Sequence, residues 1–321
     1  MLVELGQVAA VTNANFTIVT PAILGATRNT GRAKFNAAIR LYESDQVVEA
    51  QTVALQAGAG DHGEYAGDIQ VIDAEARTSR DSMIARTSGW MEVEQIPREQ
   101  PMVPERIAEV AEAAIRKVWA TIGLRPGVDT MVTLLARDVV LPANFESTGY
   151  VTAKKSFAKY CLPGSFADDP NLMGLAIQGL AACHAAALIS NSVAPPWLIA
   201  ATEAITDIQV SDNVRHGFCV GATKWREPGL LNVRLLGLQL GGNPVESAGY
   251  SLSQAILIGR YLIEEQGIKT FRDLLAYHSP TSIFHYMSLL FSKDPTRDAC
   301  KRLYEFAPEY LFEQALARCC K

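Results

Sequence analysis

The chain has 321 residues, 49% of them hydrophobic and 20% charged. That balance is ordinary for a globular protein and excludes disorder, a collagen repeat and a disulfide miniprotein. Lys and Arg number 29 against 34 Asp and Glu, a net charge of −5, so no basic excess attracts nucleic acid.

At about 150 residues per domain the length suggests two domains. No stretch reaches the ~18 uninterrupted apolar residues of a membrane span. Met1-Leu2-Val3-Glu4 lacks the basic-then-apolar order of an export signal. The expectation is a cytoplasmic protein with no membrane partner. Its six cysteines (Cys161, Cys183, Cys219, Cys300, Cys319 and Cys320) are then reduced thiols.

The first 78 residues read as β-structure. From Arg32 to Tyr42 the residues Ala33, Phe35, Ala37, Ile39 and Leu41 alternate with Arg32, Lys34, Asn36 and Arg40. A period of two marks a strand with one buried face. Val47 to Leu55 and Tyr65 to Ile72 are further strand candidates, separated by a glycine-rich loop that holds His62 as a turn residue. Leu2 to Val11 and Phe16 to Thr20 add two more. Short strands at this spacing predict a small β-sandwich-like module over residues 1–78. A polar, proline-containing linker follows over 79–103.

Beyond it the period changes. Ile107, Val110, Ala111, Ala114, Ile115, Val118 and Ile122 predict a helix with one buried stripe, opened by Pro104 and closed by Gly123. Thr130 to Val140 and Phe157 to Leu162 predict strands. Leu172 to Ile189 is apolar nearly all round, the pattern of a buried helix. Trp197 to Ile208, Ala248 to Gln266, Thr270 to Tyr277, Ser282 to Phe291, Thr296 to Phe306 and Glu309 to Cys319 predict more helices. The expected fold class is α+β, with a mainly helical domain and a short sheet over 104–321.

The order of these elements resembles the gluzincin zinc metallopeptidases of the peptidase MA clan, over roughly 104–320. Four segments carry the resemblance. They are Ile115 to Pro126 with the strand after it, Phe145 to Lys154 with Phe157 to Gly164, Pro195-Pro-Trp197-Leu198-Ile199-Ala-Ala-Thr-Glu203, and Tyr250 to Gly267 with Phe271 to Leu275. The resemblance implies a zincin fold, with Phe157 to Leu162 edging a peptide cleft.

The chemistry departs from the family. A gluzincin holds zinc with His-Glu-x-x-His on one helix and a Glu on the next, because residues i and i+4 share a helical face. Counted back from Trp197, the first His falls at Gln178 or Gly179 and the second at Ala182 or Cys183. The base falls at Gly179 or Leu180, and the third ligand at Ala200. The five histidines (His62, His184, His216, His278 and His285) include no pair four apart. The resemblance therefore implies a pseudoenzyme with no catalytic residues, no metal and no zinc cofactor, acting as a peptide- or protein-binding module or as a structural subunit of an assembly that docks through its β-module. The alternative is an active hydrolase, or a metallopeptidase with displaced ligands.

Four residues are candidates for the old cleft. His184 is read as a hydrogen-bonded histidine at the helix surface. Glu203, three residues after Ala200, is either a solvated helix residue or a carboxylate on the cleft face, which Asp207 extends. Trp197 and Tyr250 are read as packing residues. A mixed site of Cys183, His184, His216 and Cys219 is a further, less ordinary arrangement.

Overall fold

The computed structural model describes residues 30–58, 66–87, 89–125, 129–141, 149–153, 157–190, 194–206, 245–279 and 295–305, with 310, 314, 315, 317 and 318. Among them the chain is mostly helical with a small five-stranded mixed sheet. Contacts divide these residues into two units. The first holds 30–114 and 129–177; the second holds 115–125 and everything from 178.

Three helices open the first unit: α1 (Thr30–Glu43), α2 (Val47–Gly58) and α3 (Ala66–Asp81). The strands expected at 32–42, 47–55 and 65–72 are thus corrected to helices; those at 2–11 and 16–20 lie outside the described residues. The buried positions explain the correction. In α1 they are Phe35, Ala38, Ile39 and Tyr42, spaced i, i+3, i+4 and i+7, while Ala33 and Ala37 face solvent. Counting exposed alanines as apolar produced a false period of two. In α2 the buried set is Val47, Ala50, Gln51, Ala54 and Ala57, again one helical stripe.

The expected linker over 79–103 is also corrected. It supplies the end of α3 and two strands, β1 (Met83–Arg86) and β2 (Met91–Gln95). α4 (Pro104–Ile122) follows as its apolar stripe predicts, and Gly123 closes it at φ +75°. Then come β3 (Thr130–Leu134), β4 (Tyr150–Ala153), β5 (Ala158–Leu162) and a short 3₁₀ turn at Gly164–Asp168. The sheet order is β1-β2-β3-β5-β4. β2, β3 and β5 run parallel, and β1 and β4 flank them antiparallel. β5 is therefore an interior strand, bonded on both sides. The expectation that Phe157 to Leu162 forms an open edge is corrected: β4 and β1 are the outer strands.

Cross-strand partners share a face, and the face alternates along each strand. One face carries Glu94, Thr133, Lys159, Cys161, Tyr150 and Thr152; the other carries Val93, Val132, Leu134, Tyr160, Leu162 and Val151. The helices α1 and α3 reach the first face through Tyr42 and Glu75.

α5 (Pro170–Ile189) continues from the first unit into the second. By length and composition it could cross a membrane, with mean hydropathy 1.8, but 61% of that window is buried inside the protein. A core helix passes the same test. α6 (Pro196–Ala201), a 3₁₀ turn at Thr202–Ile205, α7 (Val245–Tyr277) and α8 (Pro295–Tyr304) complete the described elements. α7 breaks at Gly267, where φ is +80°, at the point where the sequence places a helix end. The helix expected at 282–291 lies outside the described residues, as does most of 309–319.

Gly259 sets how closely α7 approaches α6. A Cβ built there would lie 2.1 Å from the carbonyl oxygen of Ala201. Gly259→Ala is expected to cost about 1–3 kcal/mol in urea unfolding, through overpacking. Gly174→Ala is the control. Its Cβ would sit 3.4 Å from Val110, so helix propensity makes it neutral or stabilising by up to about 1 kcal/mol.

Candidate functional site

Of the residues singled out in sequence, the structure brings Cys183 of α5 and Glu203 of the turn after α6 together in the second unit. Gly179, Ala182, Cys183 and His184 are buried on α5, and Trp197, Ala200 and Glu203 are buried on α6 and the turn after it. Gln178 is half-buried. Tyr250 lies in α7. Asp207, His216 and Cys219 lie outside the described residues, so the mixed site rests on positions that are not described.

Two expectations are corrected here. His184 is not at the helix surface; it is 4% exposed, with Trp119 edge-on to its ring at a centroid distance of 5.3 Å. Trp119 also donates its indole N–H to the carbonyl of Ala181 at 3.2 Å. Glu203 is not a solvated helix residue either. It is 4% exposed and accepts the Cys183 thiol at 3.4 Å from Oε1.

The electrostatics follow from burial. Loss of water holds the His184 imidazole down at about 4, so it is neutral at pH 7. Burial, and then the Glu203 carboxylate beside it, push the Cys183 thiol well up. A protonated, enclosed thiol is neither a nucleophile nor a ready metal ligand. Cys183 and His184 are adjacent in the helix and point about 100° apart. Among the described residues, no group of three or more His, Cys, Asp or Glu is arranged to hold a metal. This locus can pack helices and satisfy one thiol–carboxylate pair.

A second polar cluster lies on the sheet face of the first unit. Lys159 on β5 is 1% exposed. Its Nζ lies 3.1 Å from Glu75 Oε2, 3.0 Å from Glu94 Oε2 and 3.7 Å from Asp45 Oδ1. Glu94 Oε1 accepts the hydroxyls of Ser79 at 2.9 Å and Ser82 at 2.8 Å, and Oε2 accepts that of Thr133 at 2.9 Å. Glu75 Oε1 accepts the phenols of Tyr42 and, at 3.3 Å, Tyr150.

Each shift in this cluster has a physical cause. Burial alone would raise the Glu94 carboxyl. The Lys159 ammonium and the serine hydroxyls outweigh it and hold the carboxyl below its usual range. Burial alone would lower Lys159, but the carboxylates of Glu75 and Glu94 raise it well above the lysine range. Tyr42 and Tyr150 are pushed up by burial and by the charge of Glu75. The cluster is thus a charged lysine clamped by carboxylates, of which Glu94 is held in its ionised form.

Sequence reading missed this cluster. Its signal was present: Lys159 interrupts the otherwise apolar run Ala158-Lys-Tyr-Cys-Leu162, and Glu92 and Glu94 alternate with Met91 and Val93. Finding the partners required knowing that β5 is interior and that α3 covers it.

Lys159→Met leaves Glu75 and Glu94 buried without their cation. The expected cost is about 3–5 kcal/mol at pH 7, read from denaturant midpoints. The pH slope separates the proteins. In the wild type the depressed Glu94 contributes stability above the ordinary carboxyl range, and that stability is lost as pH falls through its folded pKa. In the variant the stranded carboxylates favour protonation, so its deficit shrinks on acidification. His184 gives a separate test. Its folded pKa of about 4 lies below the ordinary 6.5, so the unfolded chain binds the extra proton between these values. The wild type should lose up to about 3 kcal/mol relative to His184→Gln between pH 6.5 and pH 4.

Compared with protein-family models, with curated proteins and with solved structures, the chain matches none.

Proposed function

We propose that this chain is a non-catalytic, metallopeptidase-like protein that binds a peptide or protein without cleaving it. In this reading residues 104–321 keep a gluzincin-like zincin order of elements, and the helix junction at the old zinc position is packed shut. The run α4, β3, β4, β5, α5, α6 supports the scaffold half of the reading.

One observation carries the loss of chemistry. The motif-bearing faces of α5 and α6 present Ala182, Cys183 and Ala200, each 0% exposed. The thiol is bonded to Glu203 rather than left to ligate. Small side chains stand, buried, at the positions where imidazoles and a carboxylate would have held an ion and its water. The reactive water of a metallopeptidase needs that ion, so a closed junction removes both.

A retained binding role needs a surface, and main-chain addition to a sheet edge is the general mode for an extended peptide. β5 is paired on both sides and cannot serve. The outer strand β4 has Tyr150, Val151 and Thr152 buried. β1 is the outer strand with exposed side chains.

The test combines metal analysis with a protease assay on protein purified without chelator. The reading predicts substoichiometric zinc and no hydrolysis of a fluorogenic casein substrate, with or without added zinc. One zinc per chain, lost in Cys183→Ser or Glu203→Gln, together with hydrolysis, would establish the metallopeptidase with displaced ligands instead.

A further inference from the structure

The β1–β2 hairpin sets two opposite charges against each other. Arg86, the last residue of β1, is the direct partner of Glu92 on β2. Their side chains leave the same sheet face from Cβ atoms about 4.5–5.5 Å apart, and opposite charges so placed attract. Here they do not close on each other. Arg86 reaches the carbonyl of Gly89 in its own hairpin, at 3.5 Å. Among the described residues the Glu92 carboxylate has neither an ion pair nor a hydrogen bond.

A cavity of about 250 Å³ is lined by both side chains. Its wall also takes Trp90, Asp129 and Phe157, which stand just before the paired stretches of β2, β3 and β5. The buried Met91 and Met131 complete its apolar part. Trp90 is anchored at both ends. Its indole N–H donates to Glu112 of α4 at 3.3 Å, and its carbonyl accepts the N–H of Thr130 at 2.8 Å. The Asp129 carboxylate, like that of Glu92, has no partner among the described residues. Arg86, Glu92 and Asp129 are the charged side chains among the described residues that line the cavity.

The cavity beyond the carboxyl ends of β3 and β5 differs. Arg137 lines it, but that guanidinium donates to the Glu99 carbonyl at 2.9 Å and pairs with Asp168 at 2.6 Å. Its charge is already answered from within the chain. At the hairpin the charges of both signs are left open.

These contents limit the occupant. A simple cation would lie against Arg86, and a simple anion against Glu92 and Asp129. A molecule with both signs on neighbouring atoms answers both. The rings of Trp90 and Phe157 call for an apolar body. The volume falls below the about 300–1,000 Å³ of pockets for drug-sized ligands, which suits one small metabolite. A free α-amino acid with a large apolar side chain meets each condition. A residue inside a peptide carries neither charge, and a residue at a peptide terminus carries one.

We propose that the cavity at the β1–β2 hairpin binds a free apolar α-amino acid. Arg86 takes the α-carboxylate through its paired N–H donors. Glu92 and Asp129 take the α-ammonium, and Trp90 and Phe157 take the side chain. The site goes beyond the peptide-binding role proposed above and does not depend on it.

The probe is L-phenylalanine, titrated calorimetrically into the full chain beside two analogues that each lack one charge. Phenethylamine has no carboxylate, and 3-phenylpropanoate has no ammonium. The wild type should bind L-phenylalanine at least about ten-fold more tightly than either analogue, the worth of one hydrogen-bonded charge. Arg86→Gln should remove the preference over phenethylamine without weakening phenethylamine itself. Glu92→Gln should reduce the preference over 3-phenylpropanoate without weakening that acid. A merely structural defect would weaken all three ligands together. Unchanged urea midpoints establish that the variants fold, and the three-ligand comparison on the wild type decides alone where one does not. Phenethylamine binding as tightly as L-phenylalanine would make this a plain cation site and overturn the proposal. So would 3-phenylpropanoate binding as tightly, no binding of L-phenylalanine, or a preference that survives both variants.

Discussion

A lysine amine cannot be taken out of water alone. The desolvation of each buried ion costs several kcal/mol, and only close counter-charges with further hydrogen bonds offset it. Lys159 meets that constraint by drawing groups from separate elements: Asp45 from the turn after α1, Glu75 from α3 and Glu94 from β2. The carboxylates are in turn held by Tyr42 of α1, Ser79 of α3, Thr133 of β3 and Tyr150 of β4. A slide of α3 along the sheet would break several of these bonds at once. The apolar cluster around Phe35, Ile39, Val47 and Ile72 supplies burial, and the polar cluster fixes the alignment.

The second unit solves its burial problem differently. α5 reaches α6 and the turn after it through the Cys183 thiol, and α7 meets α6 through a glycine. Small residues allow backbones to approach closely and leave few polar atoms to satisfy. The buried Cys183 thiol donates to the buried Glu203 carboxylate. Trp119 closes against His184 and the Ala181 carbonyl. An arrangement of this kind gives stability from packing.

What was legible in the sequence was what local pattern dictates. α4 follows its 3.6-residue stripe from Pro104 to the left-handed glycine at Gly123. α5 follows from its all-round apolarity, and the break in α7 from Gly267. β3 and β5 were located, although β3 ends at Leu134, well short of Val140. The three N-terminal helices were misread because alanine is compatible with either period, and α1 and α2 are alanine-rich. At the candidate site, Cys183, Ala200 and Glu203 were each named, but their coupling depends on how α6 lies along α5. The lysine cluster was less accessible still. Its members come from positions 45 to 159, and only the strand order β1-β2-β3-β5-β4 brings them to one face.

The alignment of helices and sheet in the first unit turns on Lys159 being a buried, charged amine. Side-chain nitrogen NMR of ¹⁵N-lysine protein, with Lys159→Arg to assign the resonance, reads that state directly. The prediction is an ammonium signal with slowly exchanging protons that persists above pH 10.4, the ordinary lysine value. A Lys159 amine that exchanges as fast as surface lysines, or that loses its proton at or below that pH, would contradict it.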